Sequence, residues 1–261
     1  MRSLDIAATG MQAQQTNVDV ISHNLANQST TGYKVQRAEF QDLLYQDLRR
    51  VGSNSSDAGT VVPTGVQLGM GVKTGAIYRN TDQGTVKQTE GALDVAMQGQ
   101  GYFTIQLPDG DIAYTRNGAF KLSPDGELVT QDGYIVQPGI NVPDDAISIS
   151  INASGEVEVT LDGQVDPAQI GQLEITNFIN PPGLDAIGDN LFLETAASGA
   201  PIVGIAGEDN FGTTLQGYLE NSNVNPVTEI TNLIVAQRSY EMNSKVITAS
   251  DEMLQALTQS A

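Results

Sequence analysis

Residues 225–257 read NPVTEITNLIVAQRSYEMNSKVITASDEMLQAL, and this stretch decides the fold. Asn225 is a good helix N-cap, Pro226 suits the first helical position, and Glu229 puts a negative charge where unsatisfied N–H groups favour one. Beyond them Leu233, Tyr240, Ile247 and Leu254 recur every seven residues, and Ile230, Ala236, Ser250 and Leu257 widen the face. Apolar residues at that interval form one stripe along a helix. The segment is predicted to be a helix with a narrow apolar seam.

The opposite end repeats the pattern with Leu4, Met11, Val18 and Leu25, and with Ala8 and Ile21 between them. Gln14 and Gln15 stand where a stronger coiled coil carries a second apolar residue, and Asn24, Asn27 and Gly32 end the run. A helix over roughly residues 3–27 is about 37 Å long. Four seam side chains bury too little apolar surface to offset the ordering of that much backbone, so this helix is not expected to stand alone. Two heptad-spaced helices at opposite termini pair with each other, with other copies of the chain, or with both.

Between the ends the turn chemistry changes. Pro108-Asp109-Gly110, Pro124-Asp125-Gly126, Asp132-Gly133 and Asp162-Gly163 interrupt alternating runs such as Tyr102–Leu107 and Ile147–Ile151, which is the pattern of β-hairpins. The expected class is α+β: paired N- and C-terminal helices forming a coiled-coil layer, and a central, mostly antiparallel β domain. The expected divisions are residues 1–35 with 221–261 as the helical part, 36–90 as an extended connecting region with a long hairpin or loop at about 46–65, and 91–220 as an acidic β domain.

Charge follows the same divisions. Residues 91–220 hold nineteen acids and two bases, whereas residues 1–90 are balanced and residues 221–261 carry four acids and two bases. The acidic middle repels nucleic acid and anionic lipid. It reads either as a solubilising domain or as the outer face of an assembly whose neutral ends associate. The chain has no cysteine, which excludes disulfides, thiolate metal sites and a cysteine nucleophile. Its start lacks a basic segment followed by an apolar run, and no apolar stretch approaches the length of a membrane span. Neither a cleavable signal nor an anchor is expected.

Enzymatic chemistry finds little support. The only histidine, His23, follows Ser22 directly, and adjacent helical residues diverge by about 100°, so a Ser-His-Asp arrangement with Asp19 is opposed by geometry. Gly69-Met70-Gly71 and Gly99-Gln100-Gly101 lack the third glycine and the lysine of phosphate loops. Asp109 with Asp111, and Asp144 with Asp145, lack the spacing and closing glutamate of a calcium loop. No cofactor and no metal is expected. A glycan-cleaving enzyme and a self-contained acidic binding module are the alternatives from other classes.

Two motifs at the ends carry a resemblance. Asn24-Leu25-Ala26-Asn27 followed by Thr30-Thr31-Gly32-Tyr33-Lys34, and Ser222-Asn223-Val224-Asn225 with Gln237–Lys245, resemble the terminal signatures of bacterial flagellar rod and hook proteins. Tyr114-Thr115-Arg116 with Gly118, Ile187-Gly188 with Asn190-Leu191, and Gln216-Gly217-Tyr218 with Glu220 extend the likeness over nearly the whole chain, although Asn117 stands where an acid is usual. The stretch around 46–63 favours the distal-rod branch over proximal rod or hook. The resemblance implies a non-enzymatic subunit that stacks helically into a hollow shaft across the periplasm. It implies export through the flagellar type III apparatus without a cleavable signal. It also implies contacts with further copies, proximal rod proteins, the hook, and rings in the peptidoglycan and outer-membrane layers. Leu4, Met11, Val18, Leu25, Leu233, Tyr240, Ile247 and Leu254 are then the packing residues of the assembly. Asn24, Asn27 and Gly32 shape the exit from the first helix, and Gln237 and Arg238 supply polar contacts between or within subunits.

Overall fold

The computed structural model describes residues 2–49, 64–163, 166–208 and 210–259, and its two long helices come from the two ends of the chain. They are α1 (Arg2–Ala26) and α2 (Pro226–Gln259). The N-cap legible in the sequence forms: Asn225 Oδ1 accepts from the N–H groups of Val227 and Thr228 at 3.1 and 3.3 Å, satisfying two of the donors that a helix start leaves open. The class is α+β, with a central antiparallel β region between the helices.

The chain divides into two compact units. The first comprises Met1–Leu25, Gln36–Tyr78 and Asn225–Ala261, and the second Ala26–Val35 and Arg79–Val224. In the first unit, β1 (Gln36–Asp42), β2 (Tyr45–Arg49), β3 (Val66–Gly69) and β4 (Val72–Arg79) accompany the helices. β1 pairs with β4. β2 pairs antiparallel with β3, Tyr45 opposite Gly69 and Gln46 opposite Leu68. Residues 50–63 lie outside the described residues, and with them most of the predicted loop or hairpin. Every residue of β2 is exposed, so the ribbon has no packed face of its own.

The second unit is built on hairpins. β5 (Val86–Gln88), β6 (Val95–Gln98), β7 (Tyr102–Gln106) and β8 (Ile112–Thr115) are followed by the short β9 (Lys121–Leu122), β10 (Leu128–Val129) and β11 (Ile135–Val136). Then come β12 (Ala146–Ile151), β13 (Glu156–Leu161), β14 (Ala168–Gln172), β15 (Ile175–Asn177), β16 (Asp185–Gly188), β17 (Leu191–Leu193), β18 (Ile202–Gly204), β19 (Thr213–Gln216) and β20 (Tyr218–Glu220). The largest sheet runs β16-β17-β8-β7-β11-β10-β9, with β15 joining β7 to β18. The Asp-Gly turns close their hairpins because the glycines at 110, 126, 133 and 163 take positive φ, a region that a side chain disfavours.

β7 is the centre of this unit. It pairs along its edges with β8, β11 and β15, and its two faces meet separate apolar clusters, Phe103 and Ile105 in one and Tyr102 in the other, so Tyr102, Phe103, Thr104 and Ile105 are all buried; burial on both faces replaces the half-buried alternation that its sequence suggests. Phe103 packs edge-to-face on Phe120 with ring centroids 5.1 Å apart, in a core that also holds Val95, Met97, Ile105, Val136, Ile140 and Ile175. Phe103→Ala removes a wholly buried ring with no exposed route to relaxation. It should cost about 3–5 kcal/mol, read as a lowered urea midpoint for the second unit with an unchanged slope.

Candidate functional site

The helices of the first unit meet in a seven-residue register. Ser3 and Ser250 hydroxyls lie 3.2 Å apart. Seven residues along α1, a Cβ placed on Gly10 would sit 2.8 Å from Asn243 Nδ2. Fourteen residues further, Asn24 Nδ2 donates to Glu229 Oε2 at 3.2 Å. Steps of seven and fourteen along α1 are matched by equal steps back along α2, so the pair is antiparallel. Between Asn243 and Glu229 the α2 line passes through buried Ala236.

Closest approach therefore runs through small and polar residues. Leu4, Met11, Val18, Leu25, Leu233, Ile247 and Leu254 lie beside that line and stay half-buried, while Tyr240 is exposed. Tyr240 and Gln237 line an open groove of about 500 Å³ with Gln15, Val18 and Glu241. Arg238 is exposed on α2. His23 is exposed on α1, and Asn27 lies in the turn after it.

A second apolar stripe on α2 has no partner among the described residues. Val235 and Met242 are both 59% exposed, and Val246 and Met253 are 46% and 55% exposed. Each pair is seven residues apart, and four residues separate Met242 from Val246. Val227, Ile230 and Ile234 continue the exposed apolar surface toward the start of the helix. Soluble monomers seldom show an apolar band of that length. The same spacing marks the 233/240/247/254 seam, which lies roughly 100–160° around the helix axis from this stripe. Only the packing against α1 shows which stripe is covered.

Asn24 sets the exit from α1. It is fully buried; its Nδ2 donates to Gln36 O and its Oδ1 accepts from Gln36 N, both at 2.8 Å. The side-chain amide thus bonds one residue of β1 as a neighbouring strand would. Glu229, also fully buried, receives Asn24 and an ion pair from Arg37 Nη2 at 3.0 Å. At the other end the register puts Asp251 opposite Arg2, so residues 252–259 of α2 extend past the first described residue of α1.

The second unit gathers its own share of the terminal motifs around one carboxylate. Glu220 Oε1 accepts from Lys34 Nζ at 2.7 Å and from Gly84 N at 2.8 Å, while Oε2 faces Arg116 Nε at 3.3 Å. Lys34 also donates to Asp82 O at 2.9 Å. Gly32 N donates to Glu220 O, Val35 N to Asn223 Oδ1, Asn80 N to Val35 O, and Asn190 Nδ2 to Thr31 O. Gly32 sits at φ +71°, and a Cβ there would lie 2.9 Å from Arg116 C, so only glycine meets both the torsion and the contact. Lys34, Arg116 and Glu220 are buried. Burial holds the Lys34 ammonium below its ordinary value, against the opposing pull of Glu220. Lys34, Arg116 and Glu220 all lie inside the quoted motifs, but no spacing rule joins residues 34, 116 and 220.

Known proteins match both ends and the middle. Residues 4–34 fit the flagella basal body rod protein family, 96–159 the flagellar hook protein FlgE/F/G D1 domain, and 215–260 the flagellar basal body rod FlgEFG protein C-terminal family. The chain is 59% identical to the flagellar basal-body rod protein FlgG of Caulobacter vibrioides, covering 99% of each. It is 50% identical to that of Borreliella burgdorferi, covering 97% of this chain and 96% of the relative. The Bacillus subtilis protein of the same name is 40% identical over 98% of each. The chain belongs to the flagellar rod and hook protein family. Within it, this is a structural subunit of the basal-body rod.

Replacing Glu220 with Gln leaves two buried cations facing no carboxylate, a change expected to destabilise the second unit by about 3–5 kcal/mol in denaturant titration. Lysine with a folded-state value below its unfolded one binds fewer protons when folded, so its contribution to stability rises with pH up to the unfolded value near 10.5. The loss in Glu220→Gln should accordingly shrink from pH 7 toward pH 10.

Proposed function

We propose that this chain builds the distal rod by helical polymerisation into a hollow drive shaft, with the exposed stripe of α2 seated on helices of neighbouring copies. The unpartnered series Val235, Met242, Val246 and Met253 carries this reading. Such a stripe is stabilised by leaving water, at roughly 1.5–3 kcal/mol for each large side chain fully covered. The intramolecular line of Ser3, Gly10, Asn243 and Ser250 contributes little of that kind. In the free subunit the helices are weakly held and become ordered on joining the shaft. Leu4, Met11, Val18 and Leu25, with Leu233, Tyr240, Ile247 and Leu254, flank the helix pair and close over its edges as copies accumulate. Gln237 and Arg238 supply polar contacts beside the groove.

Torque passes through the many helix contacts of such a layer, and its lumen conducts exported subunits. The partners of this reading are further copies, the proximal rod proteins, the hook, the peptidoglycan-layer and outer-membrane-layer rings, and the flagellar type III export apparatus. Its place is the rod crossing the periplasm, reached without a cleavable signal. The role is structural and not enzymatic. No helix among the described residues is long and apolar enough to cross a membrane, and the reading includes no insertion and no nucleic acid. The acidic surface of residues 91–220 sets copies apart except where the neutral ends bring them together.

A chain lacking residues 1–27 should give a soluble β domain that forms no filaments and enters no rods in cells; rods built from it would overturn the reading. Met242→Glu places a charge on the exposed stripe without touching the helix pair. It should reduce filament formation at least tenfold, measured by sedimentation, and leave the melting of the second unit unchanged. Removal of residues 46–63, which include all of the exposed strand β2 except Tyr45, should alter shaft bending stiffness seen by electron microscopy of isolated basal bodies.

A further inference from the structure

The ribbon of β2 and β3 has little along its described length to aim it. β2 is exposed at every residue and β3 from Val66 to Leu68, and among the described residues the two strands pair only with each other. Its direction is therefore set at its root. There the chain leaves the β1–β4 pair through Leu43-Leu44 and returns through Met70-Gly71, and Leu43 N donates to Gly71 O at 2.8 Å across the gap.

Helix α1 meets that root at Thr9. The Thr9 hydroxyl donates its proton to Ile6 O at 2.8 Å, one turn back along the helix, which leaves the oxygen lone pairs as acceptors. The N–H of Val72, the first residue of β4, donates to that oxygen at 3.3 Å. Gly71 lies against the same atom: its φ is +118°, and a Cβ there would collide with Thr9 Oγ1. The joint exists only while residues 6–9 are helical, because the helical turn is what points the hydroxyl hydrogen away from Val72.

We infer that Thr9 is the positioning residue through which the folding of α1 fixes the direction of the β2–β3 ribbon. The inference rests on the assembly reading above for its timing: α1 becomes ordered as a subunit joins the shaft, and the ribbon takes its final direction in the same step. A subunit in solution carries a ribbon that swings about its root. A seated subunit presents the exposed side chains of Tyr45, Leu48, Val66 and Leu68 in one fixed place.

The full-length chain has no cysteine, so spin labels can be placed at Gln12→Cys on α1 and Gln67→Cys on β3, both exposed positions. In filaments diluted with unlabelled chain, pulsed double electron–electron resonance should give a narrow distance distribution, and in free chain one at least twofold broader. Thr9→Val keeps the side-chain shape and removes the acceptor. It should broaden the filament distribution to the free-chain width and speed hydrogen exchange of the Val72 amide by about tenfold, the loss of one hydrogen bond. Thr9→Ser should restore both. Gly71→Ala should act as Thr9→Val does, and it is the variant read where Thr9→Val blocks filament growth. A narrow distribution in the Thr9→Val filaments overturns the inference, as does a Val72 amide unprotected in every state of the wild-type chain. Wild-type chain that forms no filaments counts against the assembly reading. A Val72 amide protected in that free chain then lets Thr9→Val decide the joint, and an unprotected one overturns it.

Discussion

The second unit depends on one buried carboxylate. Glu220 closes the segment 32–35 onto the β domain through Lys34, fixes the segment 82–84 through Gly84 N–H, and faces Arg116 at the end of the β8 hairpin. Removing three groups of this kind from water is unfavourable unless their geometry is kept. The cluster therefore stabilises one arrangement of these segments over others more than it adds to total stability. Thr31, Gly32, Val35, Asn190 and Asn223 complete it with backbone bonds that need no charge.

The first unit uses the same device on a smaller scale. Glu229 takes Asn24 and Arg37, and Asn24 holds Gln36 by both of its amide atoms. In both units an acid from the C-terminal third of the chain fastens residues of the N-terminal motif, so the two ends of the sequence are tied together by polar chemistry. The apolar surface beside them is left half-covered, and it is this surplus that an assembling subunit can use.

Much of the fold was legible from local rules. Heptad spacing located both helices, Asn225 and Pro226 marked where the second begins, and the Asp-Gly turns placed the hairpins. The side of each helix that is covered was not legible. The residues at 4, 11, 18 and 25 and those at 3, 10 and 24 share the same period, and the contact line fell on the small polar set because Gly10 and Ser3 allow closer approach. Burial of β7 on both faces comes from two apolar clusters, one around Phe103 and Ile105 and one around Tyr102, whose members are drawn from distant parts of the sequence. The Lys34–Arg116–Glu220 cluster was hidden for the same reason: its members are separated by more than eighty residues, and charge counting sees Arg116 only as one of two bases in an acidic domain.

Residues 252–259 of α2 reach beyond the first described residue of α1. In the assembly proposed above, these roughly two turns of helix would be covered by the next molecule inside a filament and bare on the last one added, so its two ends would differ chemically.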